Sequence, residues 1–341
     1  KKLCQSAVLV KEDDTGRIVT MAHMNPYRVN VGKKMWNLDY IVGVATAADS
    51  RHRGHMRDVL MRMLDDMHQD RKPFCYLMPA SPDIYRPFGF RYIFDQPQYR
   101  LGSEAKECLQ RRELRLDGNL CSSLAGWMNH WLSSRYQVYA LRDRDYMEML
   151  QSELDSEAGS VYGWYDVSGS LQAFQAFWGR EKQEQRFLYA GRDRWLEPDS
   201  GQHAPRPAIM ARITDVRSFM EAIVLDEGCP CPAMDVMINI HDPLIPGNSG
   251  LWRWKIDGNG SSLTKKGVSL PKIHTGECAE EPDYPGTLVS TEVLDITIEQ
   301  LASWLFGYSA LEELAEGEQN GVPFWCAYVQ VLDGVYLDEV V

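Results

Sequence analysis

The sequence predicts an α+β chain in which mixed sheets are flanked by helices, arranged as three successive parts over 341 residues. Three observations predict it. Residues 40–57, YIVGVATAADSRHRGHMR, read as strand, Arg/Gly-rich turn and helix. Short apolar runs bounded by turn residues recur along the chain and alternate with segments of helical period. A proline- and glycine-bearing polar stretch, Leu196–Pro207, reads as a domain boundary.

The first part begins with strands Cys4–Val10 and Arg17–His23 around the turn at residues 12–16. Tyr27–Val31 continues as strand, and Gly32-Lys33-Lys34 turns into Met35–Thr46. In Tyr40–Thr46, β-branched and aromatic residues mark a buried strand. Met56, Val59, Leu60, Met63, Leu64 and Met67 recur at three- and four-residue steps, which predicts a helix to about Gln69. Phe74–Met78 is the next strand, Asp83–Arg86 a short helical turn, and Phe90–Phe94 with Gln98–Leu101 closes the first sheet.

A helix over Ser122–Ser134 opens the second part, and Asp143 caps another at Arg144–Glu153. Ser160–Asp166 and Leu171–Trp178 flank the turn at residues 167–170. In the third part Asp215 caps a helix Val216–Val224, and Met234–Ile240 and Leu251–Ile256 read as strands. Asp257-Gly258-Asn259-Gly260 is a hairpin turn. Thr297 and Gln300 make a capping box for a helix through Phe306, and Leu311–Ala315 is a second helix. PFWCAYV reads as a final strand before the tail YLDEVV.

The turn at residues 51–57 carries the chemistry. The first amides of its helix lack helical partners, and the helix dipole adds positive potential there. Gly54 lets backbone approach a bulky anion, so the place suits a pyrophosphate. Neither G-x-x-x-x-G-K-[ST] nor G-x-G-x-x-G occurs here. What stands is R-x-x-G-x-M after VGVAT. It resembles the acetyl-coenzyme A motif [QR]-x-x-G-x-[GA] of the GNAT acetyltransferases, with Met56 departing from the last position. YLMPASPDIYRPFGF, residues 76–90, is similar to the later segment of that family that ends in Tyr-x-x-Phe-Gly-Phe. Residues 136–178 repeat a strand–helix–strand–strand pattern without a phosphate turn. PAIMARITDVRSFMEAIVL and the segments after it resemble a sterol-carrier domain. That order of parts is similar to the Eis-like (enhanced intracellular survival) acetyltransferases. It implies a catalytic GNAT domain over 1–98, a degenerate GNAT-like domain over 99–205 and a sterol-carrier-like α/β domain over 206–341. The expected fold is therefore tandem GNAT-like mixed sheets followed by a sterol-carrier-like domain.

The resemblance also implies roles. Val44, Ala45 and Thr46 pair by backbone with the pantetheine arm. Arg51, His52, Arg53, Gly54, His55, Met56 and Arg57 take the pyrophosphate, and Ala80 and Ser81 touch the coenzyme. Tyr85 is the general acid: a phenol of pKa about 10 can return a proton to a leaving thiolate. The base is the terminal carboxylate of Val341, with Asp338 and Glu339 drawing ammonium groups to the site. The family has a strand and two helices before the hairpin, so an N-terminal piece is expected to be missing from this chain.

Composition bounds the partners. The chain is 44% hydrophobic with a net charge of −12. Residues 1–98 hold 15 Lys and Arg against 11 Asp and Glu, leaving 21 against 37 in the remainder. The acidic remainder argues against nucleic acid as a partner and for a cationic amine. No apolar run approaches the ~20 residues of a membrane helix. The eight cysteines sit mostly in apolar contexts, as in a reduced cytoplasmic protein, and Cys229-Pro230-Cys231 is a poor metal signal, so no metal is expected. The expected function is acetyl-CoA-dependent N-acetyl transfer to an amine-bearing small molecule by a homo-oligomer, trimer or hexamer as the resemblance implies. A second reading is a lipid- or ligand-binding protein that uses the sterol-carrier-like part, with structural GNAT units.

Overall fold

The computed structural model describes residues 6–11, 15–199, 205–266, 285–314 and 321–339. The chain divides into two units. One joins residues 1–94 to 209–335, and the other joins 95–208 to 336–341. The tail thus packs with the middle of the chain, whereas the sequence placed it with the third part.

The first unit begins with strands β1 (Ser6–Lys11), β2 (Ile18–Val31) and β3 (Lys34–Thr46), paired antiparallel in sequence order. Helix α1 (His55–Gln69) follows and buries Val59, Leu60, Met63, Leu64 and Met67, the face its periodicity predicts. Next come β4 (Phe74–Leu77), the short helix α2 (Pro82–Tyr85) and β5 (Arg91–Gln96). The strand Arg206–Ile213 then inserts between β4 and β5, antiparallel to β4. Its residues 208–213 are all buried, as a central strand covered on both faces must be. Tyr99–Leu101 does not close this sheet: it pairs with Leu196–Pro198 in a separate ribbon of the other unit.

The rest of the first unit is a four-stranded sheet of Ser261–Lys265, Gly250–Asp257, Ala233–His241 and Leu288–Thr297, in that order. Only its last pair is parallel. The helix Ile298–Leu305 starts on the predicted Thr297–Gln300 capping box and stacks Trp304 near Trp254, with Trp325 on another side of Trp254. PFWCAYV is not a strand. Pro323 starts a 3-10 turn over Phe324–Tyr328, and only Val329–Gln330 pairs, with Val224–Leu225. That pairing also shortens the Asp215-capped helix to Val216–Met220.

The second unit is an antiparallel sheet of Glu184–Ala190, Leu171–Trp178, Ser160–Tyr165 and Gln110–Leu114 with the helices Ser103–Cys108, Gly118–Ser133 and Arg144–Ser156. Its core is aromatic: Trp131 meets Tyr189, Tyr136 and Tyr336 at 4.8–5.6 Å between ring centroids. Around that core the tail is locked by charge. The Arg142 guanidinium is wholly buried. It donates to Asp338, to Glu339 at 2.7 Å and to the Tyr189 hydroxyl at 3.1 Å. The Tyr189 hydroxyl donates in turn to Asp338 at 2.6 Å.

Two carboxylates share one guanidinium here, and one oxygen of Glu339 has no partner among the described residues. Burial, aided by the Asp338 charge and opposed by Arg142, pushes the Glu339 carboxyl up from 4.5 to about 7. Folded protein holds that proton over a range where the unfolded chain has released it. The stabilising contribution is complete below about 4.5 and is lost as pH rises through about 7. Urea unfolding across that window should show wild-type stability falling with pH and Glu339→Gln losing the fall; equal slopes would overturn the assignment. Arg142→Met, which strands the two carboxylates, should cost about 3–5 kcal/mol in the same assay.

Candidate functional site

The site grows from the way β3 leaves β4. Their parallel pairing consists of Asp39 opposite Cys75 and Tyr40 opposite Tyr76, yet β3 runs on to Thr46. Beyond Tyr40, the β4-facing side of β3 has no strand partner among the described pairings. On the other side, Met21 faces Ala45 while His23 faces Val42, so β3 carries one extra residue, a bulge. Gly43 sits in it at φ +64°, and a Cβ there would stand 3.2 Å from the His23 ring. The bulge lies beside the strand end that carries Val44, Ala45 and Thr46, and β4 ends at Leu77, one residue beyond its last pairing with β3. Ala45 is exposed and Val44 and Thr46 are half-buried. The freed backbone groups can bind an extended arm as an added strand would.

The phosphate turn follows. A 3-10 turn, Ala48–Ser50, leads to Arg51, His52, Arg53 and Gly54, all exposed. His52 and Gly54 both have positive φ, +61° and +87°. Successive left-handed and ordinary residues turn backbone amides inward to form an anion-binding concavity. Gly54 caps α1, its carbonyl accepts from the Asp58 amide at 3.0 Å, and no side chain caps the helix. The amides of His55, Met56 and Arg57 therefore face outward along the helix axis. Asp49, the acidic residue at this turn, is bound in two hydrogen bonds from Arg17, whose guanidinium holds its carboxyl below the ordinary range. Arg51 donates to the Thr46 carbonyl at 3.4 Å, which ties the turn to the end of β3.

Tyr85 ends α2 and is 7% exposed. Its ring meets Phe90 edge to face at 5.9 Å, within the core formed by Val59, Leu60, Met63 and Leu64 of α1. Burial raises its phenol above the ordinary value, so the hydroxyl stays protonated at neutral pH. Arg57 lies over the Phe88 ring at 5.9 Å, so the turn after Tyr85 touches the first turn of α1. Ala80 is exposed and Ser81 half-buried at the start of α2. The structure thus brings Val44–Thr46, residues 51–57 and the Tyr85 turn together around one core. It does not leave Asp338 and Glu339 open to an ammonium group: both are buried in the other unit and committed to Arg142. Val341 lies outside the described residues.

Sequence reasoning missed two contributors. Gly43 sets the bulge, and its place in VGVAT was the available signal. Arg212 sits in the apolar run AIMARI, where a charged residue on a buried strand calls for a partner.

Comparisons with known proteins bear on the fold of the parts. Residues 1–93 match the acetyltransferase (GNAT) domain family, and residues 216–319 match the sterol carrier protein domain family. No curated protein matches the chain. Among solved structures, a probable N-acyltransferase from Enterococcus faecalis superposes with a TM-score of 0.66 at 16% identity, over 96% of this chain and 83% of that one. A GCN5-related N-acetyltransferase from Kribbella flavida does so with 0.65 at 17% identity, over 98% and 87%. Eis1 from Mycobacterium abscessus gives 0.59 at 12% identity, over 95% and 83%. At these identities the likeness is one of fold. The chain carries an acetyltransferase domain of the GNAT type and a sterol-carrier domain.

Gly54→Glu should abolish binding of coenzyme A in isothermal titration, while the protein stays folded, because a Cβ at Gly54 meets nothing within 4 Å. Gly54→Ala brings the same backbone strain, on the order of 1 kcal/mol, without the charge. It should keep measurable binding. Equal affinity in Gly54→Glu and wild type would remove the turn from the site.

Proposed function

We propose that the protein is an acetyl-CoA-dependent N-acetyltransferase acting on a primary amine of a cationic small molecule or lysine-like group. The observation that carries this is the parted β3–β4 edge running directly into an uncapped helix start. Strand-like donors for the pantetheine arm and amides for the pyrophosphate then lie in the order in which coenzyme A presents those groups. In the reaction, the amine nitrogen attacks the thioester carbon, and an amide of Val44–Thr46 polarises the carbonyl oxygen. The C–S bond breaks, and the Tyr85 phenol gives its proton to the departing thiolate. The amine proton goes to the α-carboxylate of Val341, the base in this proposal. The chain leading to that carboxylate is locked as far as Glu339 by Arg142. The protein is placed in the cytoplasm as a homo-oligomer, with no nucleic-acid or membrane partner.

The lipid-carrier alternative has less support. A cavity of about 390 Å³ in the sterol-carrier region is lined by Ala233, Met234 and Ile256 together with Asp235, Lys255, Asp257 and Asn259, and the charged residues make it less apolar than a sterol site would be. The interior of that region is filled by Trp252, Trp254 and Trp325.

A mass-shift screen with acetyl-CoA against polyamines and aminoglycosides should reveal a 1:1 acetylated product; no product across amines, together with lipid capture, would favour the alternative. Tyr85→Phe keeps the ring packing and removes only the proton. Its single-turnover rate should fall ~10²-fold or more with acetyl-CoA affinity retained. A C-terminal extension, or deletion of Val341, moves the proposed base and should cost ~10²-fold or more. Near-equal rates of extended, shortened and native chains, all tagged at the N-terminus, would falsify the terminal-carboxylate step.

A further inference from the structure

Arg212 stands on the strand inserted between β4 and β5, and its side chain is 1% exposed. Its guanidinium donates in three directions. Nε donates to the Phe88 carbonyl at 2.9 Å, and one terminal nitrogen to the Ile213 carbonyl at 2.7 Å. The other reaches both oxygens of Asp242 at 2.6 and 2.7 Å. Asp242 is itself held by the Leu244 and Ile245 amides, each at 3.1 Å, and by the Asn248 side-chain amide at 2.9 Å. Asn248 is anchored in turn to the Thr214 carbonyl and the Val216 amide. The sterol-carrier region therefore builds a fully buried, hydrogen-bonded seat for one guanidinium, whose Nε edge is bonded to the turn following Tyr85.

That turn is shaped to receive it. Gly89 has φ +79°, and a Cβ there would lie 2.8 Å from Arg212 Nε. Both the backbone conformation and the close approach require glycine. The Gly89 amide donates to the Arg86 carbonyl and the Phe90 amide to the Tyr85 carbonyl, so the turn closes back on α2. Phe90 then supplies the ring against which Tyr85 packs. A shift at Phe88–Gly89 moves the residue that flanks the phenol. Leu244 and Ile245, from the loop that holds Asp242, pack into the same apolar core as Tyr85 and Phe88.

We propose that Arg212 is a positioning residue for Tyr85. Through the Phe88 carbonyl, the Asp242 loop of the sterol-carrier region sets the place of the phenol, and that region serves as part of the acetyl-transfer apparatus. This rests on the reading of Tyr85 as the acid. A lysine cannot replace the arginine, because one ammonium cannot reach Asp242 and the Phe88 carbonyl at once with the fork's geometry.

Two variants test it. Arg212→Lys keeps a cation beside Asp242 and drops the bond to Phe88. Gly89→Ala keeps the ion pair and drives a methyl into the guanidinium. Circular dichroism establishes that each is folded, and whichever folds is carried forward. The first readout needs no acceptor: ultraviolet titration of the Tyr85 phenol, isolated as the difference between each protein with and without Tyr85→Phe. The phenol should titrate above the ordinary range in the parent and fall toward it in the variant. Hydrogen exchange over residues 82–90 should speed up at least tenfold, with little change in β2. The second readout is single-turnover breakdown of acetyl-CoA with spermidine or kanamycin as probe acceptor. The variant should lose tenfold or more with acetyl-CoA affinity within about twofold, and lose nothing further in the Tyr85→Phe background. An unchanged phenol titration and unchanged exchange in a folded variant would overturn the positioning role. If Tyr85→Phe alone leaves the rate intact while the titration shifts, the acid assignment fails and the positioning stands.

Discussion

The parting of β3 from β4 is the constraint on which the site depends. A strand in mid-sheet has its backbone groups met on both sides, and a buried group left unmet is costly. Here parallel pairing stops at Tyr40–Tyr76, six residues before β3 ends. The Gly43 bulge interrupts the remaining strand's register, and β4 ends at Leu77 before Pro79. The unpaired edge must be satisfied by water or by a ligand of extended form. It leads within nine residues to the helix start at His55, whose amides have the same need. A line of donors from strand to helix is what separates this sheet from a merely structural one.

That edge is held open by chain from far along the sequence. The strand Arg206–Ile213 fills the far side of β4, so β4 is fixed between β3 and a segment more than 130 residues later. Met210 and Ile245 then join the core under α1 and Tyr85. Residues 1–94 and 209–335 form one unit because they share a sheet and a core. Each unit also buries one arginine between two segments distant in sequence: Arg212 between the Phe88 turn and the Asp242 loop, Arg142 beside the tail. Buried ion pairs are weak evidence for net stability. Their donors are directional, however, and fix which segment meets which.

Features coded locally were legible in the sequence. The apolar face of α1 showed as periodicity, and Asp143, Asp215 and Thr297 showed as caps that the structure confirms with hydrogen bonds to the Tyr146, Ser218 and Gln300 amides. The Asp257–Gly260 turn was legible for the same reason. What depended on distant partners was not. Gln110–Leu114 is a polar edge strand without apolar alternation, so nothing in it announced a sheet. Phe324–Tyr328 has strand-forming residues, but its conformation follows from Pro323 and its docking beside Trp254. In the site, the R-x-x-G turn and Tyr85 were readable as strings. The burial of Asp338 and Glu339 was not, since their partner Arg142 lies nearly 200 residues away.

The surroundings of Tyr85 explain why its place must be set by backbone. Burial alone accounts for its raised phenol, with no charged neighbour contributing. The side chains packed near it are apolar: Phe90, Phe88 and the α1 face. Apolar contact holds a ring in a slot but does not aim a hydroxyl along it, because dispersion is non-directional. A proton donor serves only if its oxygen sits within hydrogen-bond reach of the leaving atom. That precision has to come from the segments at either end of the tyrosine. Upstream, α2 is a single turn starting at Pro82, too short to be rigid by itself. Downstream, the Phe88–Gly89 turn is gripped by a guanidinium that is itself held by Asp242, a carboxylate fixed in turn by the Leu244 and Ile245 amides and by Asn248 of the sterol-carrier region. The rigidity of the proposed acid is therefore borrowed from a segment of the chain that contributes no group to the proposed reaction.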